Sequence, residues 1–237
     1  MASEKTASSK SWFFPTSPRS PYKLQGELKL LKQLEGKPWG AETQQEFAKL
    51  LMESPDFEGK TSRSEAAFSG RDRATRAPRL LGFVHFPRRG QKGAFKFTEI
   101  GNIFIQSTPE EQALIFQRQI AKVQFRSPLH NNKGFGDMSI RPLIVMLRLL
   151  FELDSLSKHE IALFAITITS ETKFNEHVAV IRQFRESLSN LSGLERKSYK
   201  KSFSEEWVGK IYEEDILAGR TKLRQGGDDF ISKKFRT

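Results

Sequence analysis

The chain is 237 residues long and carries 39 Lys and Arg against 28 Asp and Glu, a formal charge of +11 with a pI near 9.8, which favours a polyanionic partner such as nucleic acid or an acidic membrane surface. Cysteine is absent, so disulfides, thiolate zinc sites and a cysteine nucleophile are excluded, and a reducing cytoplasm is the expected compartment. The most apolar stretches, Pro142 to Leu153 and Ile161 to Ile168, are interrupted by Arg148 or end early, short of the ~20 residues a membrane span needs.

Residues 1–20 lack the unbroken apolar stretch of a secretory signal and read as a polar N-terminal arm. Helices are predicted from about Pro21 to Leu34 and from about Gln44 to Glu53, the second opened by Thr43 with Glu46, a hydroxyl and a Glu three residues apart that together satisfy two orphaned backbone donors. Ser62 with Glu65 opens a third, from about Arg63 to Arg79. A hairpin follows: Leu80 to Phe86, the basic turn Pro87 to Gly93, then Ala94 to Phe97, with Phe97 to Gly101 closing it. Three helices and a hairpin in this order match a winged helix. Thr108 with Glu111, and Pro109 at the first helical position, open a helix that carries Ala113, Phe116, Ile120 and Val123 at helical spacing.

The second half begins again, with helices from about Ile140 to Leu153, Lys158 to Thr167 (opened by Ser157 with Glu160) and Thr172 to Leu188. The last has an apolar stripe of Phe174, Val178, Ile181 and Leu188, with Arg185 on the same side. Beyond Leu188 the pattern loosens into Ser, Lys and Glu, broken by Gly193, Gly219 and Gly226-Gly227, and no second hairpin follows. The expected fold is mainly α with small β-hairpins (α+β), built as tandem winged-helix-like DNA-binding subdomains. The first spans 21–128; the second, over 139–237, is incomplete, and truncation is expected.

Between Arg63 and Lys92 the chain places Arg63, Arg71, Arg73, Arg76, Arg79, Arg88, Arg89 and Lys92, with Asp72 the acid in the densest part. On a helix, Arg71 to Arg79 spread guanidinium groups over more than half the circumference, and Arg grips both phosphate and the O6/N7 edge of guanine. A solvated charged face is the bland alternative. Against it, the run coincides with the third helix and the wing of the expected module. Arg71, Asp72, Arg73, Arg76 and Ser69 are therefore the candidates for reading bases. Arg19, Lys23, Arg63, Arg79, Arg88, Arg89 and Lys92 are the candidates for phosphate.

No active site emerges. Pro55-Asp56-Phe57-Glu58-Gly59-Lys60 looks like the Pro-Asp and Glu-x-Lys elements of restriction nucleases, but those carboxylates come from neighbouring strands and these share one loop. His130 has no ligand spacing with His85, His159 or His177, so no metal site is expected. Gly134-Phe135-Gly136 lacks the strand and third glycine of a dinucleotide loop, no Walker-type sequence occurs, and no Ser lies in a Gly-x-Ser-x-Gly turn. Neither a catalytic residue nor a cofactor is assigned to the chain.

The run Ser17-Pro18-Arg19-Ser20-Pro21, followed by Glu27-Leu28-Lys29, Glu35-Gly36 and Trp39, resembles the opening of the AlwI and BstNBI group of type IIS restriction and strand-nicking endonucleases. The likeness continues through Phe47-Ala48-Lys49, Glu65-Ala66-Ala67-Phe68-Ser69 with Arg71-Asp72-Arg73, Gly82-Phe83-Val84 and Thr98-Glu99-x-Gly101. It recurs at Ile140, Pro142-Leu143, Leu156-Ser157-Lys158, Ile161-Ala162-x-Phe164 and Gln183-Phe184-Arg185. The resemblance implies an N-terminal recognition region of winged-helix-like subdomains joined to a C-terminal magnesium-dependent nuclease domain, which is absent here. It also implies a short asymmetric target of the GAGTC or GGATC kind, cut outside the site. Double-stranded DNA is the implied partner, bound by a monomer, with a nuclease domain or small nuclease subunit in the parent enzyme. Two rivals remain: a winged-helix transcription regulator that dimerises through the Thr172 to Leu188 helix, and a small nuclease using Asp56 and Glu58.

Overall fold

A computed structural model describes residues 10–12, 21–55, 76–87, 93–127 and 138–218. These are mainly helical, with one two-stranded antiparallel hairpin among the described residues. The chain divides into two units, Phe14–Val123 and Met1–Phe13 together with Gln124–Thr237. No described helix is long and apolar enough to cross a membrane.

The first unit contains α1 (Pro21–Lys32), α2 (Ala41–Glu53), α3 (Ala77–Leu80), β1 (Val84–His85), β2 (Lys96–Phe97), α4 (Glu99–Gln106) and α5 (Pro109–Lys122). Helix α1 buries Leu24, Leu28 and Leu31, the stripe expected of a one-sided amphipathic helix, and packs against α2, α4 and α5. The core is aromatic: Phe83 stacks on Phe104 with ring centroids 4.5 Å apart, and Trp39 lies 5.1 Å from Phe86 and 5.5 Å from Phe95. The strands pair Val84 with Phe97 and His85 with Lys96. Just past α1, the Glu35 carboxylate accepts the Phe97 N–H at 2.6 Å and also pairs with Lys32. Burial pushes the Glu35 carboxyl up, but the Lys32 and Phe97 hydrogen bonds outweigh it and hold it below the usual carboxylate range.

Several local expectations are corrected. Helix α2 starts before Thr43, at Ala41 with Gly40 as its N-cap, and Thr43 is instead a buried helical residue whose hydroxyl donates to the Pro38 carbonyl at 2.7 Å. The third helix does not run through Arg79. Arg76 caps the separate turn α3, and Pro78, which has no N–H to give and clashes with a preceding helical turn, falls in its opening positions. Leu80 ends that turn rather than starting a strand, and only two residues pair on each side of the hairpin. Thr98 closes the hairpin, its N–H donating to Phe83 O at 3.0 Å, and also opens the next helix. Its hydroxyl accepts the Gly101 N–H at 3.1 Å and caps α4. The Ser62–Glu65 pair lies outside the described residues. At Thr108 the expected capping box is complete.

The second unit holds α6 (Pro142–Leu153), α7 (Lys158–Leu163), 3₁₀ turns at Ala165–Thr167 and Glu171–Lys173, α8 (Phe174–Ser189) and α9 (Gly193–Leu217). Ser157 and Glu160 form their capping box. Phe174, Val178, Ile181 and Phe184 are buried along α8. The described residues beyond Leu188 are not loose: Gly193–Leu217 form a 25-residue helix, opened by a Ser192–Glu195 capping box, while Gly219 and Gly226-Gly227 lie outside the described residues. Gly193 breaks nothing there, because a residue in the first turn has no intrahelical N–H partner to lose. Trp207 on α9 donates its indole N–H to the Leu163 carbonyl at 3.2 Å, and its ring lies 5.6 Å from Phe164. From the other end of the chain, Trp12 enters the same unit, 3 % exposed, its backbone N–H donating to Ile166 O at 2.9 Å and its indole to Ile168 O at 3.0 Å.

Two imidazoles are held neutral in this unit. Burial lowers the pKa of His177 against the opposing Lys173 carbonyl, and burial followed by the nearby Lys200 charge lowers that of His159. Both groups have depressed folded values, so the unfolded chain takes up protons first and stability is lost as pH falls below about 6.5. Thermal melts from pH 8 to 5.5 should show this decline. His177→Gln, though less stable at pH 8, should show a flatter profile, and an equal slope in the two proteins would contradict the assignment.

Candidate nucleic-acid interface

Of the residues expected to touch DNA, Lys23, Arg76 and Arg79 are described. Arg19, Arg63, Ser69, Arg71, Asp72, Arg73, Arg88, Arg89 and Lys92 lie outside the described residues, as do Asp56, Glu58, Lys60, His130 and Gly134 to Gly136. Lys23 is exposed on α1, beside the buried Leu24. Arg76 is exposed and Arg79 half-buried, one on the cap and one inside α3, at the three-residue spacing that places side chains on a common face.

What fixes these arginines is the end of α3. Gly82, at φ +72°, donates its N–H to Arg79 O at 3.1 Å, and Phe83 donates to Pro78 O at 2.9 Å. This is the paired bonding of a Schellman turn, in which a left-handed residue closes the helix and glycine avoids the Cβ penalty. Phe83 then anchors the turn in the core, fully buried on Phe104. Across the hairpin, Phe86 and Phe95 stack at 5.4 Å below the ends of the basic turn. Gly36, at φ +89°, donates to Phe95 O at 3.2 Å, and Lys37 O accepts from Phe95 N at 3.2 Å. The basic stretch from Arg63 to Lys92 is thus interrupted, and followed, by segments clamped to one aromatic core.

The second unit has a feature that sequence reasoning missed. A cleft of about 240 Å³ is lined by Gln124, Ser139, Arg141, Arg148, Glu171 and Phe174, among others. Arg148 lies 4.2 Å from the Phe174 ring centroid and pairs with Glu171. Arg141 is exposed at the N-cap of α6. Arg148 is visible in the sequence as a charge within an apolar run, but Glu171 and Phe174 come from another element, so no local pattern joins them. The cleft offers two guanidinium groups, one of them stacked on the Phe174 ring, a setting for an anionic or planar group.

Where described, the residues that carry the family resemblance are largely scaffold. Glu35 and Gly36 bind β2 and its approach, Trp39 and Phe47 belong to the aromatic cluster, Gly82 closes α3, and Ser157 caps α7. Arg185 holds Glu160 at 2.6 Å. Among the described residues no three His, Asp or Glu side chains gather as metal ligands. No curated protein matches the chain. The model of the AlwI restriction endonuclease family matches residues 80–225, more than half of the sequence, running from the end of α3 through α9. A likeness first read from short strings thus extends over the hairpin and the described residues of the second unit from Gln124 onward, and the chain belongs to the AlwI restriction endonuclease family.

Proposed function

We propose that this chain reads DNA sequence for a type IIS restriction or nicking endonuclease, binding a short asymmetric duplex site as a monomer. Family membership makes DNA the substrate of the enzyme, and the excess of 39 basic over 28 acidic residues suits it. The observation that carries the reading is the clamping of Arg76, Arg79 and both approaches to the basic turn on the Phe83, Phe86 and Phe95 core. Side chains that select bases must be held in register, and rigid anchoring supplies it.

In this reading the first unit acts as a winged-helix-like module. Arg71, Asp72, Arg73, Arg76 and Ser69 face base edges, and Arg19, Lys23, Arg63, Arg79, Arg88, Arg89 and Lys92 face phosphates. Hydrolysis belongs to a magnesium-dependent nuclease domain or small nuclease subunit of the parent enzyme. The dimeric transcription regulator loses its intended interface, because Phe174, Val178, Ile181 and Phe184 of α8 are buried within their own unit.

Six to eight phosphate contacts give an expected log K against log salt slope of about −5 to −7. Selection of duplexes from a random pool should return an asymmetric consensus of about five base pairs, uncut in a parallel arm with magnesium. A flat salt response, or a palindromic consensus, would count against the proposal.

A further inference from the structure

One side of α9 changes character along its length. Ser204, Trp207, Val208 and Tyr212 are buried. Continued toward the helix start at three- and four-residue spacing, the same side carries Lys201, Lys200 and Lys197, all exposed. The helix is nevertheless fastened over this stretch, since Tyr199 and Phe203 lie 6.0 and 5.1 Å from the Phe184 ring. The lysines therefore extend from a fixed frame past the edge of the core. The Ser204 hydroxyl donates to Lys200 O at 2.6 Å and lies 3.4 Å from His159 Nε2, which brings the start of α7, with its exposed Lys158, to the same edge.

Pairing separates these lysines from several basic side chains of the same unit. In this unit Lys10, Arg148, Arg182, Arg185 and Lys210 each meet a carboxylate. Arg196 spends its Nε–H on the Leu188 and Leu191 carbonyls at 3.0 and 2.8 Å. Lys158, Lys197, Lys200 and Lys201 have no acidic partner within salt-bridge distance among the described residues. Four like charges on one edge repel each other. The Lys200 charge is felt at His159, where, after burial, it further disfavours the protonated ring.

We infer that Lys158, Lys197, Lys200 and Lys201 form a phosphate-gripping edge for duplex DNA, separate from the Arg63 to Lys92 stretch. The inference rests on the DNA-reading function proposed above and gives the second unit its own hold on the backbone. Along α9, Lys200 and Lys201 follow Lys197 by one turn, about 4.5 and 6 Å along the axis. Lysine binds phosphate as a flexible point charge and reads no base. The edge therefore sets affinity and salt dependence, and leaves sequence preference alone.

The test compares the full chain with a K158Q/K197Q/K200Q/K201Q variant by fluorescence anisotropy on a duplex of about 30 base pairs, from 50 to 250 mM salt. Added to the six to eight contacts of the first set, these four steepen the expected slope of the parent to about −9 to −11; each lost contact removes about 0.9, so the variant should return to about −5 to −7 and bind about ten-fold or more weakly at 0.1 M salt. Its melting temperature and selected consensus should be those of the parent. A K10Q/K37Q/K49Q/K210Q variant carries the same change in net charge and should alter the slope by less than about one unit. If the parent binds duplex and the first variant keeps its slope, this inference is wrong and the proposed function stands. If the parent does not bind duplex even at 50 mM salt, both fall. Binding of the parent to phosphatidylserine vesicles as tightly as to duplex, abolished in the first variant, would reassign the edge to a membrane surface and overturn the inference.

Discussion

Gly101→Ala should cost the first unit about 3 kcal/mol or more, enough to unfold a marginal domain. An added Cβ at Gly101 would fall 2.1 Å from the Phe83 carbonyl oxygen and 2.9 Å from its carbon. Neither can retreat. The Phe83 carbonyl accepts Thr98 N–H at 3.0 Å and Thr98 Oγ1 at 3.2 Å, the Phe83 N–H is bound to Pro78 O at 2.9 Å, and the ring is stacked on Phe104. Backbone meets backbone here, so α4 would have to leave the hairpin, and the Schellman turn that holds Arg76 and Arg79 would shift with it. Urea denaturation gives the measure. Gly26→Ala provides the contrast: nothing lies within 4 Å of the new Cβ in α1, and alanine should gain up to about 1 kcal/mol of helix propensity. Equal midpoints for G101A and the parent would refute the close-approach argument.

Breaking the Glu160–Arg185 pair should have a comparable effect in the second unit. Glu160 is 5 % exposed, and its carboxylate accepts Arg185 Nε at 2.6 Å and the Ser157 N–H at 2.6 Å. Arg185 also donates to Leu153 O at 3.0 Å and to Ser155 O, so one guanidinium ties α8 to the end of α6 and to the loop before α7. Removing one partner of a buried pair costs about 3–5 kcal/mol. With Arg185 32 % exposed by its side chain, water relieves part of that, and Glu160→Ala should cost about 3 kcal/mol including the lost cap.

The pair also has a pH signature. Burial pushes the Glu160 carboxyl up, but hydrogen bonds from Arg185 and from the Ser157 backbone and hydroxyl outweigh it and hold the group below the usual carboxylate range. A depressed folded value gives stability that is complete above the unfolded value of about 4.3 and is lost as pH falls through the folded one. Glu160→Gln should therefore be less stable than the parent at pH 7, by a margin that shrinks as pH falls below about 4.3. A constant difference between them would sink the linkage.

Chemistry confined to a few residues was legible in the sequence. The boxes at Thr108 and Ser157 formed because each is complete within three residues. Thr43 with Glu46 reads the same way and fails, since the preceding chain is committed elsewhere: Pro38 bridges Ala94, Trp39 enters the aromatic cluster, and α2 has already begun at Ala41. Helix α9 was hidden by giving Gly193 the weight of a breaker, although Ser192 and Glu195 carry the same signal as the recognised starts. The short hairpin depends on Gly101 beneath Phe83, and the cleft depends on Arg148 meeting residues from another element 23 positions away. Both are non-local, and periodicity does not encode them. The base-reading candidates Arg71, Asp72 and Arg73 stood out by charge density and by falling in the expected third helix, which marks a charged stretch but does not orient a side chain.

The docking of Trp12 on Ile166 and Ile168 sets a schedule for biosynthesis. The indole and its acceptor carbonyl are 156 positions apart, and at roughly 5–20 residues per second a ribosome needs on the order of 10–30 s to make the second after the first. Through that interval the tryptophan has no seat, while the helices and hairpin that intervene in sequence are already emerging. The second unit is thus completed only when the segment around Ile166 and Ile168 meets a side chain made 156 positions earlier.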